Sequence, residues 1–420
     1  MGYNKKRAME TSGRGYGESD KCVCSGCIGD EYLVKIIRGK GEIGACSFCK
    51  DLKGKSIKHR KVFQLEKLME YIMPAIDYYY IDALDGLSYE SKEGGYMGDN
   101  IDHYDFIHNK MADEMIVDNE DLLQELYELI EPRTWSPRYI YGESTAERDM
   151  IEWDTYTRIV NKRKKLSVEQ IISLCKRPDA PDDIKMIHTM LNKILYHARK
   201  VHSVTNISTG APFFRCVNYL GREETQEGYN SILATQVGTA PACVSEAGRF
   251  NEKGDMMFYG ASNEDIAIKE VGKKDDNPFT IGKFFTNKRI SVLNLCTIEK
   301  WKQPSFFRIN ENDIERRESW FFLKQFILEI SKPVSDIDDV ENYYKPIQVF
   351  TKYMQRVTQL YGIEYRSSKS ERNNLYSDYI IDRCYVLFAE NRDCMDESER
   401  SQNLNKRRLQ LFMREVWQKD

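Results

Sequence analysis

Residues 248–270 read GRFNEKGDMMFYGASNEDIAIKE and place an arginine, a tyrosine and a glutamate, Arg249, Tyr259 and Glu270, at intervals suited to one pocket. On a helix, Glu270 falls four residues after Ile266 and three after Ala267, so it shares their apolar stripe while Lys269 turns to water. A carboxylate on an inward face is costly unless it is paired or employed. Arg249 stands between Gly248 and the turn Asn251-x-x-Gly254, where backbone can approach a ligand and a packing arginine finds little to lie on. Upstream, Arg215 sits in FFRCVN with apolar neighbours on both sides. A guanidinium in a buried strand calls for an anion. A protein carboxylate and the oxygens of a diphosphate ligand serve equally, because the planar fork takes oxygens in pairs. Tyr259 taken alone reads as a core tyrosine, as strand aromatics commonly are. Further on, Ser367 and Ser368 follow Tyr365 at a strand end and offer hydroxyls, although lone serines are commonplace.

The second chemistry is that of thiols. Cys24 and Cys27 are separated by two residues, as are Cys46 and Cys49, with eighteen residues between the pairs. Four thiolates in two short-spaced pairs satisfy a tetrahedral zinc site and leave no open position, which makes the expected zinc structural rather than catalytic; reduced cysteines without metal are the plainer alternative. Cys22 competes with Cys24 as a ligand, and only Cys24 reproduces the spacing of the second pair. Gly39, Gly41 and Gly44 match a dinucleotide-binding glycine spacing, but they lie inside the cysteine loop without a strand and helix of adequate length around them. The other six cysteines are scattered singly and read as small core residues.

Elements must position these groups. Asp255 to Ala261 is apolar and aromatic enough for a buried strand, which delivers Tyr259. Ser262, Asn263 and Asp265 then supply helix-start chemistry for the helix of Glu270. Residues 1–20 are polar and without periodicity and read as a disordered lead. A zinc knuckle follows over 21–55. An α-helical region covers 56–203, with apolar stripes from Val62 to Ile72, from Leu122 to Ile130 and from Ile184 to Leu195, and a capping box at Ser167 and Gln170. After Thr205 short apolar runs such as FFRCVN and ISVLNLC alternate with helices, so a mixed α/β domain is expected over 204–395, with a helix started by Pro346 and stopped by Gly362. Leu409, Phe412, Met413 and Val416 predict an amphipathic helix within 396–420 that docks back on the body or pairs with a second copy in a homo-oligomer. The fold class expected is multidomain α+β.

Composition narrows the partners. The 420 residues are 30% charged with a net charge of −4, and no basic run marks a nucleic-acid partner. No apolar run approaches the roughly 18 residues of a membrane span and the polar start is no secretion signal, so a cytoplasmic protein is expected. His188 and His202 lie beside helical stripes and read as core or edge residues. No histidine follows an arginine by five to seven positions, which removes the arginine and histidine pair of a helical-bundle ribonuclease.

With these residues assembled, the second half of the chain resembles the RES family, named for its arginine, glutamate and serine. FFRCVN is similar to its first arginine motif, GRFNEKG to its second, MMFYGA to its tyrosine strand, AIKEV to its glutamate helix, IEYRSS to its serine motif, and YYKPIQ to its usual helix lead-in. The gap between Arg215 and Arg249 is stretched by REETQEGYNSI, and Arg366 stands where proline is common. The first half is similar to the N-terminal region, linked by name to the HEPN class, in which a double CxxC knuckle precedes helices; Trp153 in IEWDTY belongs to that likeness. The resemblance implies an ADP-ribosyltransferase-like fold and NAD as substrate, cleaved at the nicotinamide with ADP-ribose released to water or phosphate or transferred to a protein. It implies Glu270 at the developing ribose charge, Arg215 and Arg249 on the diphosphate or ribose, Tyr259 on the nicotinamide side and Ser367 bonding within the pocket. It also implies a toxin with a protein antitoxin or acceptor as partner. The competing reading is a zinc-ribbon binding module whose RES-like domain is a non-enzymatic scaffold.

Overall fold

The computed structural model of the protein describes residues 13–49, 60–92, 94–138, 144–163, 165–218, 232–272, 278–296, 303–332, 338–367, 382–400 and 408–419. The chain forms two compact units, Met1–Thr145 with Gln303–Glu318, and Ala146–Lys302 with Ser319–Asp420. Together they make an α+β protein with a cysteine cluster at its start, a helical region and one large mixed sheet. The boundary differs from the one expected at 203/204. The helices after Thr145 bury their stripes in the core of the second unit, a preference that a stripe alone does not disclose.

In the first unit, β3 (Arg60–Gln64) is flanked by β1 (Cys22–Cys24) and β2 (Glu42–Gly44), antiparallel on both sides. Helix α1 (Glu31–Lys40) starts at Asp30, whose carboxylate accepts from the Tyr32 and Leu33 amides at 3.0 and 2.9 Å, and buries Leu33 and Ile37. The stripe that opens at Val62 is shared between β3 and α2 (Leu65–Tyr79), which buries Leu65, Leu68, Met69, Ile72, Met73 and Ile76. Each such side chain contributes about 2 kcal/mol. Helix α3 (Glu120–Leu129) is capped by Asn119 and packs Leu122, Leu123, Leu126 and Leu129 into the same core. Of the expected disordered lead, residues 1–12 lie outside the described residues. From Gly13 on the chain is placed: Tyr16 is buried and bridges Ile130, so one aromatic anchor overrides the polar composition around it. Residues 303–318 are held to this unit by Arg317, which donates twice to the buried Glu114 at 2.7 and 2.8 Å.

The second unit is built on nine strands: β4 (Val204–Ile207), β5 (Pro212–Val217), β6 (Phe258–Ala261), β7 (Phe279–Thr286), β8 (Ile290–Asn294), β9 (Gly362–Arg366), β10 (Arg383–Leu387), β11 (Cys394–Asp396) and β12 (Leu411–Lys419). They lie in the order β11-β12-β7-β5-β6-β10-β9-β8-β4, antiparallel except for β11/β12 and β8/β9. Its longer helices are α4 (Thr145–Lys162), α5 (Val168–Leu174), α6 (Asp182–Lys200), α7 (Glu264–Val271), α8 (Glu311–Ile330), which belongs here from Ser319 onward, and α9 (Val340–Val357). One sheet face packs Leu293, Ile363 and Val386 against Trp153, Ile194, Phe326 and Phe350 of these helices, while Phe213, Phe258, Phe284, Tyr385 and Leu387 form a second core on the other face. That division follows from strand alternation.

Two expected helices differ. The C-terminal segment is the strand β12, paired with β7 from Phe279↔Lys419 to Thr286↔Leu411 across a bulge at Lys283/Phe284. Its apolar residues fit helical spacing, but Leu411, Phe412 and Met413 are all buried and β7 supplies a full ladder, so pairing outweighs periodicity. Helix α9 begins at Val340 under an Asp339 cap, and Pro346 sits in its interior, where its carbonyl accepts the Tyr156 hydroxyl at 2.8 Å. Among the described residues no helix is long and apolar enough to cross a membrane.

Candidate active site

Strand β5 pairs with β7 from Pro212 to Val217 but with β6 only at Phe214↔Ala261. The two strands part beyond that point, and Arg215 bridges them by donating from Nη1 to the Tyr259 carbonyl at 2.6 Å. Its Nε donates to the Val237 and Gly238 carbonyls at 3.1 and 2.8 Å. Gly238 has no room for a side chain, since a Cβ would lie 2.5 Å from Cys394 Sγ and 2.7 Å from the Ala234 carbonyl. The head lies deep enough that burial pulls the Arg215 guanidinium below its ordinary pKa, with the nearby Cys394 and Tyr259 opposing. Among the described residues no carboxylate pairs with Arg215, and its Nη2 has no acceptor. Of the two partners the sequence allowed this buried arginine, a protein carboxylate is therefore absent among the described residues.

A cavity of about 450 Å³ opens at the split. Its walls include Arg215, Arg249, Tyr259 and Glu270, so four of the five expected pocket residues of this half share one space. Strand β6 presents Tyr259 and Ala261 to it, and α7 follows at once because the Asn263 side chain accepts from the Ile266 amide at 2.9 Å. Ile266 and Ala267 are buried as expected, and Glu270 on the next turn lines the cavity. The fifth residue, Ser367, is buried immediately after β9 and donates its hydroxyl to Glu270 Oε1. Ser368 lies outside the described residues, as do residues 219–231, which hold most of the stretched gap.

Tyr259 is more committed than its motif suggests. Its hydroxyl donates to Asn251 Oδ1 at 2.6 Å, while Asn251 Nδ2 donates to the Glu246 and Glu252 carbonyls at 2.9 and 3.0 Å. Burial pushes the phenol well above its ordinary pKa, and the Phe250 amide and the two arginines only partly oppose this. Tyr259 therefore stays protonated where it lines the cavity. Arg249 also has a structural post, contrary to the expectation that packing contacts there are scarce. It donates to the Ile330 carbonyl at the end of α8 and to the Lys332 carbonyl at 2.9 Å, and lies over the Tyr344 ring at 5.3 Å. A cation at a helix C-terminus satisfies orphan carbonyls. No carboxylate pairs with it among the described residues.

Sequence reasoning passed over Asn251, Tyr344, Tyr365 and Cys384, all of which line the cavity. Tyr344 and Tyr365 stand inside motifs already quoted. Cys384 is 3.5 Å from Glu270 Oε1, a contact made by strand pairing that no local pattern announces.

The four expected metal ligands also come together. The Sγ atoms of Cys24, Cys27, Cys46 and Cys49 all lie within 4.8 Å of one another, with the shorter separations 3.3 to 3.9 Å. Zinc–sulfur bonds of about 2.3 Å in a tetrahedron require sulfur separations of about 3.8 Å, so the set fits that ion. Cys22 is outside the group, and Arg60 Nη1 lies 3.7 Å from Cys24 Sγ and 3.5 Å from Cys49 Sγ, close enough to donate to both sulfurs.

Elsewhere His197 joins Asp149 through Nε2 and Ser319 through Nδ1, each at 2.9 Å. The trio has the composition of a hydrolase triad, but its members are only 3%, 3% and 0% exposed, and no substrate carbonyl can reach Ser319. Lys193 also donates to Asp149, at 2.5 Å, and the group works as a buried strut.

Two family models match the chain, the HEPN/RES N-terminal domain 1 over residues 39–173 and the RES domain over residues 230–410. The first takes in Cys46 and Cys49 and begins after Cys27; the second takes in Arg249, Tyr259, Glu270 and Ser367 and begins after Arg215. No curated protein and no solved structure matches.

Proposed function

Because the chain carries a HEPN/RES N-terminal domain 1 and, after it, a RES domain, we propose that the cavity beside Glu270 binds NAD and that the protein cleaves the bond between nicotinamide and ribose. The RES family is associated with NAD-consuming toxins. The observation that carries the finer reading is Glu270, tied by Ser367 on the wall of a cavity whose two arginines have no carboxylate partner among the described residues. Such a site suits a ligand with an anionic end and a reacting centre that becomes positive.

In this reading Arg215, through Nη2, and Arg249 grip the diphosphate, and the Tyr259 ring orients the nicotinamide side. The C–N bond breaks with its electron pair leaving on the nicotinamide nitrogen, and positive charge spreads over the ribose C1′ and ring oxygen. The Glu270 carboxylate, positioned beforehand, stabilises that charge. An acceptor oxygen then bonds to C1′. With water the products are ADP-ribose, nicotinamide and a proton; phosphate or a protein side chain takes the place of water in phosphorolysis or transfer. Cys24, Cys27, Cys46 and Cys49 hold one structural zinc, with all four positions taken by protein and none left for substrate. The protein acts on the cytoplasmic NAD pool as a toxin or defence protein.

The test is to incubate purified protein with NAD, follow free nicotinamide, and repeat with Glu270→Gln. Turnover is expected in the wild type and a loss of at least about a hundredfold in the variant. No nicotinamide from the wild type, with or without cell extract, overturns the enzyme reading and leaves a binding module. Equal turnover by the variant overturns the role of Glu270 alone.

A further inference from the structure

We propose that Cys384 is a positioning residue for Glu270, its thiol and the Ser367 hydroxyl together aiming the carboxylate by donating to the same oxygen, Oε1. This rests on the reading of Glu270 as the carboxylate that acts at the nicotinamide ribose.

The three groups come from three elements: Glu270 from α7, Ser367 from the end of β9 and Cys384 from β10. The register brings them together. Cys384 is the ladder partner of Tyr365 on β9 and of Ala261 on β6, three residues before the start of α7. Its Sγ lies 3.5 Å from Glu270 Oε1, within the reach of a sulfur donor, and the Ser367 hydroxyl meets the same atom. Cys384 is 1% exposed and packs with Cys216, Ala261, Ile266 and Ala267, largely apolar surroundings in which Glu270 and the Ser367 hydroxyl are the polar groups within its reach. Burial, reinforced by the charge of Glu270, pushes its thiol well above the ordinary cysteine range. The sulfur therefore keeps its proton, is a poor nucleophile, and can meet a carboxylate only as a donor.

The last torsion of a glutamate is broad, and each donor that meets the carboxylate from a separate element limits its swing. Two donors from different strands on one oxygen narrow that swing and hold the carboxylate plane where α7 and the sheet edge define it. A misaimed carboxylate costs rate rather than binding, since it meets charge only as the C–N bond breaks.

The experiment uses the full chain as wild type, Cys384→Ala, Cys384→Ser and Glu270→Gln. With NAD, kcat of Cys384→Ala is expected to fall about tenfold with KM little changed, and Cys384→Ser, which restores an O–H donor, to recover most of it. Infrared difference spectra, wild type minus Cys384→Ala, isolate the S–H stretch of Cys384, which should lie below that of a free thiol and move towards it in Glu270→Gln. A wild-type kcat in a folded Cys384→Ala protein, or an S–H band indifferent to Glu270→Gln, overturns the proposal. Should Cys384→Ala fail to fold, wild type minus Cys384→Ser isolates the same band and decides. A band that responds to Glu270→Gln in a wild type that releases no nicotinamide upholds the donor pair and overturns the NAD reading alone.

Discussion

Tyr259 shows how a residue can belong to a site without doing its proton chemistry. Its hydroxyl is engaged with Asn251, burial keeps it protonated, and the residue lines the cavity. Tyr259→Phe should therefore release nicotinamide within a few-fold of wild type, while Tyr259→Ala should not. The phenylalanine variant should lose about 1–2 kcal/mol of stability in denaturant titration, because Asn251 Oδ1 is left buried without its donor. Abolished turnover in a folded Tyr259→Phe protein would instead give the hydroxyl a chemical role. Arg249 carries a parallel lesson: the glycine-flanked arginine that reads as a ligand grip is also the cap of α8.

Among the elements, α4, α6 and α8 are joined by one polar strut, Asp149 to His197 to Ser319, with Lys193 on the other carboxylate oxygen. Burial alone would raise the Asp149 pKa, but the bonds from His197 and Lys193 prevail and hold it below the ordinary aspartate value. A folded pKa below the unfolded one means that the stability from Asp149 is complete above the ordinary value of about 3.9 and is lost as pH falls through the lowered one. Asp149→Asn should accordingly cost about 3 kcal/mol near neutral pH and flatten the acid side of a plot of stability against pH. Elements with local signatures were legible in the sequence: the Ser167 and Gln170 capping box forms, and the Asn263 cap launches α7 on its expected face. The residues that line the cavity were legible where they stood in motifs. Strand β12 was not, because a partner distant in sequence decides between ladder and helix, and neither was Cys384, whose meaning lies in the register of β10. Pro346 suggested a helix start because proline is at home there, yet the structure tolerates it nearly two turns further in, with its carbonyl tied to Tyr156.

For the molecule as a whole, the two units have separate cores, and the cysteine cluster belongs to the first. Metal analysis of protein purified without chelator should return one zinc per chain. Chelation, or Cys46→Ser, should lower the melting temperature of the first unit by ten degrees or more, on the order of what loss of a structural zinc costs a small core. An unchanged melting curve would leave the four thiols as packing alone. The order of the strands has a consequence for synthesis. Every cavity residue named above precedes Leu387, yet β5, which carries Arg215, leans on β7, and the other edge of β7 is covered, among the described residues, by β12, residues 411–419. A ribosome that has emitted the whole site has still to emit the strand that buttresses it. Chains stalled before Leu411 are therefore expected to lack a settled cavity and, on the NAD reading proposed above, to release no nicotinamide until translation has moved past the last strand.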